Sequence, residues 1–272
     1  MHIASGRSDC YQEAAYMNPQ FLESPVRIPR QMDAPVLHLL GGPRVVHLGR
    51  WLDVPEGSKR LLAFVALNGG RVERRHAAGT LWPTGEDQRA AGNLRSALWR
   101  LKAAGIDLLD SDKCSLWVRE HTVIDLYVLY GWAGRLIAGT PTGEDLSALK
   151  WRTDALDLLP GWYDDWVLLE RERVRQRLLH ALEALSRELA RAGRHAEAVE
   201  SALVAVAAEP LRESAQRALI EAHLAEGNLV EAMRSYAAYR GLTRRELGVG
   251  PGMELSALME RACKSLTYSS SS

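Results

Sequence analysis

Residues 84–102 read TGEDQRAAGNLRSALWRLK. Ala90, Leu94, Ala97, Leu98 and Leu101 recur at steps of three and four residues, which lays one apolar stripe along a helix. Thr84 stands where an N-cap would, and Asp87 three residues on gives a start like a capping box. Glu86 and Asp87 fall at the positive end of the helix dipole, Arg100 and Lys102 near its negative end. Arg89, Asn93, Ser96 and Arg100 follow the same step on a second face, flanked by Arg95 and Lys102. Arg and Asn pair best with guanine and adenine edges in the major groove, and Ser is tolerant. Taken alone, such a segment reads first as an amphipathic surface helix with solvated charges. Its neighbours reverse that order.

Working outward, residues 36–40 and 44–48 are β-rich and break at Gly41-Gly42-Pro43, which reads as a hairpin. Trp51-Leu52-Asp53-Val54 adds a short strand. Ser58 is expected to cap a helix running to about Asn68 and ended by Gly69-Gly70. A second helix is expected from about Glu73 to Leu81, closed by Trp82-Pro83, because Pro disfavours helix at the residue before it. The third helix stops at Gly105. Beyond it, residues 106–109 and 116–119 flank the polar turn Asp110-Ser111-Asp112-Lys113, and a last strand lies near residues 121–126. Strands, three helices and a closing hairpin make a winged helix-turn-helix, whose third helix enters the major groove. Lys59-Arg60 and Arg74-Arg75-His76 lie near helix starts, where backbone N–H groups and basic side chains together suit phosphates. Exposed arginines with no role at all are the competing explanation for these two runs.

Charge is zero overall but uneven. Residues 36–125 hold 13 Lys and Arg against 10 Asp and Glu, and residues 126–272 hold 18 against 20. Within residues 71–102 the balance is 7 against 3, a mild excess that fits a nucleic-acid contact. Cys10, Cys114 and Cys263 are widely spaced and lack metal-site or disulfide spacing, so a reducing cytoplasm is expected. No apolar run reaches membrane-spanning length, and the first residues lack the charged and apolar regions of a signal peptide, so a soluble, intracellular protein is expected. Residues 1–34 carry Pro19, Pro25 and Pro29 without periodicity and read as a flexible extension; residues 265–272 read as a flexible tail.

From residue 127 to 264 the chain reads as all helix, with segments expected at 126–137, 144–158 and 162–192, the last with or without a break. Two turns, Ala192-Gly193-Arg194-His195-Ala196-Glu197-Ala198 and Glu226-Gly227-Asn228-Leu229-Val230-Glu231-Ala232, stand 34 residues apart. That is the tetratricopeptide period. Ala181, Ala184 and Leu185 match Ala215, Ala218 and Leu219 at the same offset. Stacks of this kind make concave surfaces that bind proteins.

Residues 36–126 resemble the DNA-binding half of the Streptomyces antibiotic regulatory protein family, itself similar to response-regulator winged helices. Leu81-Trp82-Pro83, Ala91-x-Asn93-Leu94 and Trp99-Arg100-Leu101-Lys102 carry the likeness. It implies that Asn93, Arg95, Ser96 and Arg100 touch DNA. Lys102 replaces the usual Arg, Trp99 replaces a smaller residue, and Cys114-Ser115-Leu116-Trp117 stands in place of Gly-Tyr-x-Leu at the hairpin tip. Lys113 and Arg119 are the candidate wing contacts. Leu159-Pro160-Gly161-Trp162-Tyr163-Asp164-Asp165-Trp166-Val167 with Glu170-Arg171 resembles the opening of the same family's bacterial transcriptional activator domain, and Glu246-Leu247-Gly248-Val249-Gly250-Pro251 its close.

No catalytic set emerges. A phosphate-cradling loop is missing, and Gly248 to Gly252 lacks Rossmann spacing. Ser147-x-x-Lys150 reads better as two surface polar residues than as a nucleophile pair, and His195 with Glu197 lacks the cysteines of a deaminase. Trp162, Tyr163, Trp166, Tyr236 and Tyr239 read better as helix packing than as a ligand box, and Trp82 as winged-helix core.

The expected fold is therefore mainly α with a small β component: a winged helix-turn-helix over residues 35–126, then an all-α tetratricopeptide-like domain over 127–264. The expected function is sequence-specific transcriptional activation without catalysis or cofactor. The resemblance implies binding as two copies on direct repeats, regulation of secondary metabolism and contact with RNA polymerase holoenzyme. A helical-repeat interaction scaffold and a ligand-sensing regulator are the rival readings.

Overall fold

The computed structural model describes residues 34–147 and 157–269. Most of the expected N-terminal extension, most of the helix expected at 144–158, and Lys150 therefore lie outside the described residues.

Strands β1 (Val36–His38), β2 (Arg44–His47) and β3 (Arg50–Leu52) form an antiparallel meander. Leu37 opposite Val45 and Val45 opposite Leu52 set the register that turns one apolar row inward. Leu48 and Gly49, both at positive φ, make the two-residue β2–β3 turn, the left-handed pair that matches strand twist. Strand β7 (Val123–Ile124) joins β1 in parallel, giving the order β3-β2-β1-β7.

Helices α1 (Glu56–Leu67), α2 (Arg74–Leu81) and α3 (Asp87–Ala103) follow, then the wing of β5 (Leu109–Ser111) and β6 (Ser115–Val118). β4 (Val72–Glu73) pairs with β6, so α2 starts at the wing's edge. The helical stripe read from sequence is the buried one: Ala90, Leu94, Ala97 and Leu101 are interior, Leu98 partly so.

Two expected caps are corrected. α3 begins at Asp87 with Glu86 as N-cap, and Thr84 lies outside it, beyond Gly85 at φ +151°. α1 begins at Glu56, so Ser58 sits within its first turn, fully buried, and its Oγ donates to the Ala97 carbonyl of α3 at 2.9 Å. The serine ties two helices together instead of starting one. The wing strands also lie nearer its tip than expected, because Ile106 and Leu108 are spent as core side chains ahead of the β5–β6 ladder.

Helix α4 (Asp125–Ile137) leads to a 3-10 turn, Asp145–Ser147; the helix expected over 144–158 does not extend to its far end, because Leu158 is drawn into a bridge with Leu40. α5 (Asp165–Arg191) is one unbroken helix, followed by α6 (His195–Ala208), α7 (Glu213–Ala225), α8 (Leu229–Leu247) and α9 (Met253–Ser269). α9 carries neither Gly nor Pro, and residues 265–269, expected in the tail, continue it. The repeat appears in space as α5–α6 and α7–α8. Ala181, Ala184 and Leu185, like Ala215, Ala218 and Leu219, are all buried, and Gly193 and Gly227 make the turns at positive φ that favour glycine.

One apolar core runs from β1 through α1–α4 into α5, α6 and α7. Leu40 bridges Leu158, Gly41 N–H donates to the Asp157 carbonyl at 2.8 Å, and Leu159 N–H to the Leu39 carbonyl at 3.1 Å. Phe64 of α1 meets Trp166 of α5 edge to face at 5.2 Å. Arg171 donates to the carbonyls of Leu158, Leu159 and Trp162, and Arg60 pairs with Asp164. Asp125, fully buried, accepts from the N–H groups of Leu39 (2.9 Å), Leu40 (3.2 Å) and Leu126 (2.7 Å).

Candidate nucleic-acid interface

α3 presents a polar, cationic surface opposite its buried stripe. Arg89, Arg95, Ser96 and Lys102 are exposed; Asn93 and Arg100 are half-buried at the stripe's edge. After Asp87 the helix contains no acidic residue. Trp99 lies on the outward side and is 70% exposed; with Arg95, Ser96 and Arg100 it lines a shallow open concavity.

Both ends of α3 meet further cations. At its start, Arg75 of α2 reaches Asp87 Oδ2 at 3.4 Å. The neighbouring Arg74 donates to the Asp112 carbonyl of the wing at 3.5 Å, and its backbone N–H to the Cys114 carbonyl at 2.8 Å. α2, the head of α3 and the wing tip thus share one surface, which holds Arg74, Arg75, Arg89 and the exposed Lys113. At the other end, Arg100 Nη2 donates to the Gly57 carbonyl in the first turn of α1 at 3.2 Å, while Arg100 Nε is buried without a partner. Lys59, one turn into α1, pairs with Glu56 at 2.6 Å. Arg119 stands at the wing's base against Asp107 at 3.0 Å, apart from the tip.

The wing tip is an Asx turn. Asp112 Oδ1 accepts from the N–H groups of Cys114 (2.8 Å) and Ser115 (2.6 Å), and these bonds, aided by Arg71, hold its carboxyl below the usual range. Arg71 also lies over the Trp117 ring at 3.8 Å. Sequence reading missed Arg71 as part of this surface, since only the β4–β6 pairing brings it to the wing. It missed the outward position of Trp99 as well, although the helical angle of Trp99, opposite Leu94 and Ala97, already contains it.

The aromatic set divides. Trp162 and Trp166 pack against the core beside Phe64, Tyr239 is buried, and Tyr163 is 80% exposed. Trp82 packs against the winged-helix core. Among the described residues no cluster of His, Cys, Asp and Glu could hold a metal ion, and no helix is long and apolar enough to cross a membrane.

Comparison with known proteins agrees with this architecture. A family model described as the bacterial transcriptional activator domain matches residues 138–262. Regulatory protein AfsR of Streptomyces griseus is 30% identical over 249 residues, 86% of this chain and 25% of that protein. Its namesake in Streptomyces coelicolor is 30% identical over 198 residues, 72% of this chain and 16% of that protein. The chain thus spans a quarter or less of the length of these curated relatives. Mycobacterium tuberculosis EmbR, solved in complex with a low-affinity phosphopeptide, superposes with a TM-score of 0.65 at 20% identity, over 85% of this chain and 65% of that one. At that identity the likeness is one of fold, and it takes in both the winged helix and the repeats.

Proposed function

The chain belongs to the Streptomyces antibiotic regulatory protein family, and from that premise we propose that it is a sequence-specific DNA-binding transcriptional activator. The observation that carries the reading is the acid-free outer face of α3, bracketed by Arg74, Arg75 and Lys113 at one end and by Arg100 and Lys59 at the other. A helix so placed in a winged helix-turn-helix lies in the major groove, while the basic residues around it meet phosphates. Phosphate contacts would come from Arg74, Arg75, Lys59, Lys102, Lys113 and Arg119. Base-edge contacts would come from Arg89, Asn93, Arg95, Ser96 and Arg100, with Asn93 and Arg100 reading sequence or fixing register. Two copies would sit side by side on direct repeats near promoters of secondary-metabolism genes. The stack from α5 to α8 would join the copies, contact RNA polymerase holoenzyme, or do both.

The test is binding to duplex DNA from upstream of neighbouring genes across a salt series, with random duplex as competitor. Tight, competitor-resistant binding with a steep salt slope is the expected result. Weak binding indifferent to sequence and salt would move the function to the repeat surface and to protein capture.

A further inference from the structure

We infer that Trp99 is a specificity-determining residue that packs its indole on thymine C5-methyl groups in the major groove. The inference rests on the DNA-binding reading above and goes beyond its charged and amide contacts.

Trp99 is the largest side chain on the outer face of α3, and at 70% exposure it serves no core. Along that face by helical angle Gly92, Ser96 and Ala103 are small, while Gln88 and Arg95 are long and polar. The indole is therefore the one large apolar side chain that this face offers to a groove about 12 Å wide. Arg95 stands one turn before it, Lys102 nearly one turn after, and no acid follows Asp87 in the helix. An aromatic centre with a cationic rim matches a polyanion whose groove floor carries apolar spots. In the major groove the only apolar group on a base edge is the thymine methyl. Leaving an indole in water is unfavourable, and covering it with a methyl-lined surface recovers that free energy.

The experiment begins with a duplex selected by the wild-type chain from a randomised library. Each thymine is then replaced by uracil, which removes the C5-methyl group alone. Binding of the wild-type chain should weaken about fourfold at one or two positions, the transfer free energy of one buried methyl group. Trp99→Ala should bind the parent duplex at least roughly tenfold more weakly and be indifferent to uracil at those positions. Trp99→Phe should recover part of both effects. Because the side chain is exposed, all three proteins should share one melting temperature. Absence of any uracil-sensitive position in the wild-type chain would overturn the inference, as would an unchanged uracil pattern in Trp99→Ala. A wild-type chain that enriches no sequence would overturn the DNA-binding reading itself, which is a distinguishable failure.

Discussion

Arg100 answers to two elements at once. Its guanidinium holds the Gly57 carbonyl of α1 and borders the outer face of α3. Arg100→Ala should weaken specific DNA binding by about 1–3 kcal/mol, measured by competition titration. It should also lower stability by about 0.5–1.5 kcal/mol through the lost bond to Gly57, read from urea unfolding. Full affinity in a folded Arg100→Ala protein would remove it from the interface. Sequence periodicity was enough to put Arg100 on a polar face, but the bond to Gly57 spans 43 residues and leaves no local trace. Asp125 is a second case of a long-range partner. Asp125→Asn turns an amide NH2 toward one of three N–H donors it now accepts, and should cost about 1–3 kcal/mol. Asp145 gives a pH signature. Bonds from Arg135, together with Thr142, hold its carboxyl down at about 2 against burial. A depressed folded pKa contributes stability above the unfolded value near 3.8 and loses it as pH falls toward 2. The stability gap between wild type and Asp145→Asn should therefore close over that window, and a gap constant from pH 5 to pH 2 would refute the assignment.

Elements were more legible than their ends. The stripe from Ala90 to Leu101 and the 34-residue offset of Gly193 and Gly227 both follow from helical geometry, which repeats along the chain and so shows in it. Caps do not repeat. Ser58 looked like a helix start because serine often is one, yet its hydroxyl serves Ala97, a partner that only the tertiary fold supplies. The same holds between repeats. Glu183 of α5 is 3% exposed and accepts from Arg212 at 2.6 Å and from Ser214 at 2.7 Å, which pins the start of α7 to the middle of α5. Arg212→Ala would strand that carboxylate in the interior and should cost about 3–5 kcal/mol, measured by thermal or denaturant unfolding. A loss under 1 kcal/mol would mean that water reaches Glu183.

At the scale of the molecule, two units read from sequence share one interior. The turn chemistry and the change from strand to helix pattern locate a division near residue 126, whereas the packing of Phe64 on Trp166 and the bridge from Leu40 to Leu158 join what lies on either side. Aromatic residues in two distant segments carry no mark of their pairing. Unfolding followed at the winged helix and at the repeats should thus coincide in a single transition, and two resolved transitions would contradict a shared core. Under the proposed DNA-binding function, the joint also bears on the operator. If two copies meet through their repeats, each recognition helix is held at a fixed rotational phase relative to the other. One added base pair between the repeats advances the second site by about 3.4 Å and turns it by about 34° around the duplex axis, since a turn takes roughly 10.5 base pairs. A stiff joint could not follow that rotation, so under this proposal operator spacing would become a quantity that the Leu40–Leu158 bridge helps to set.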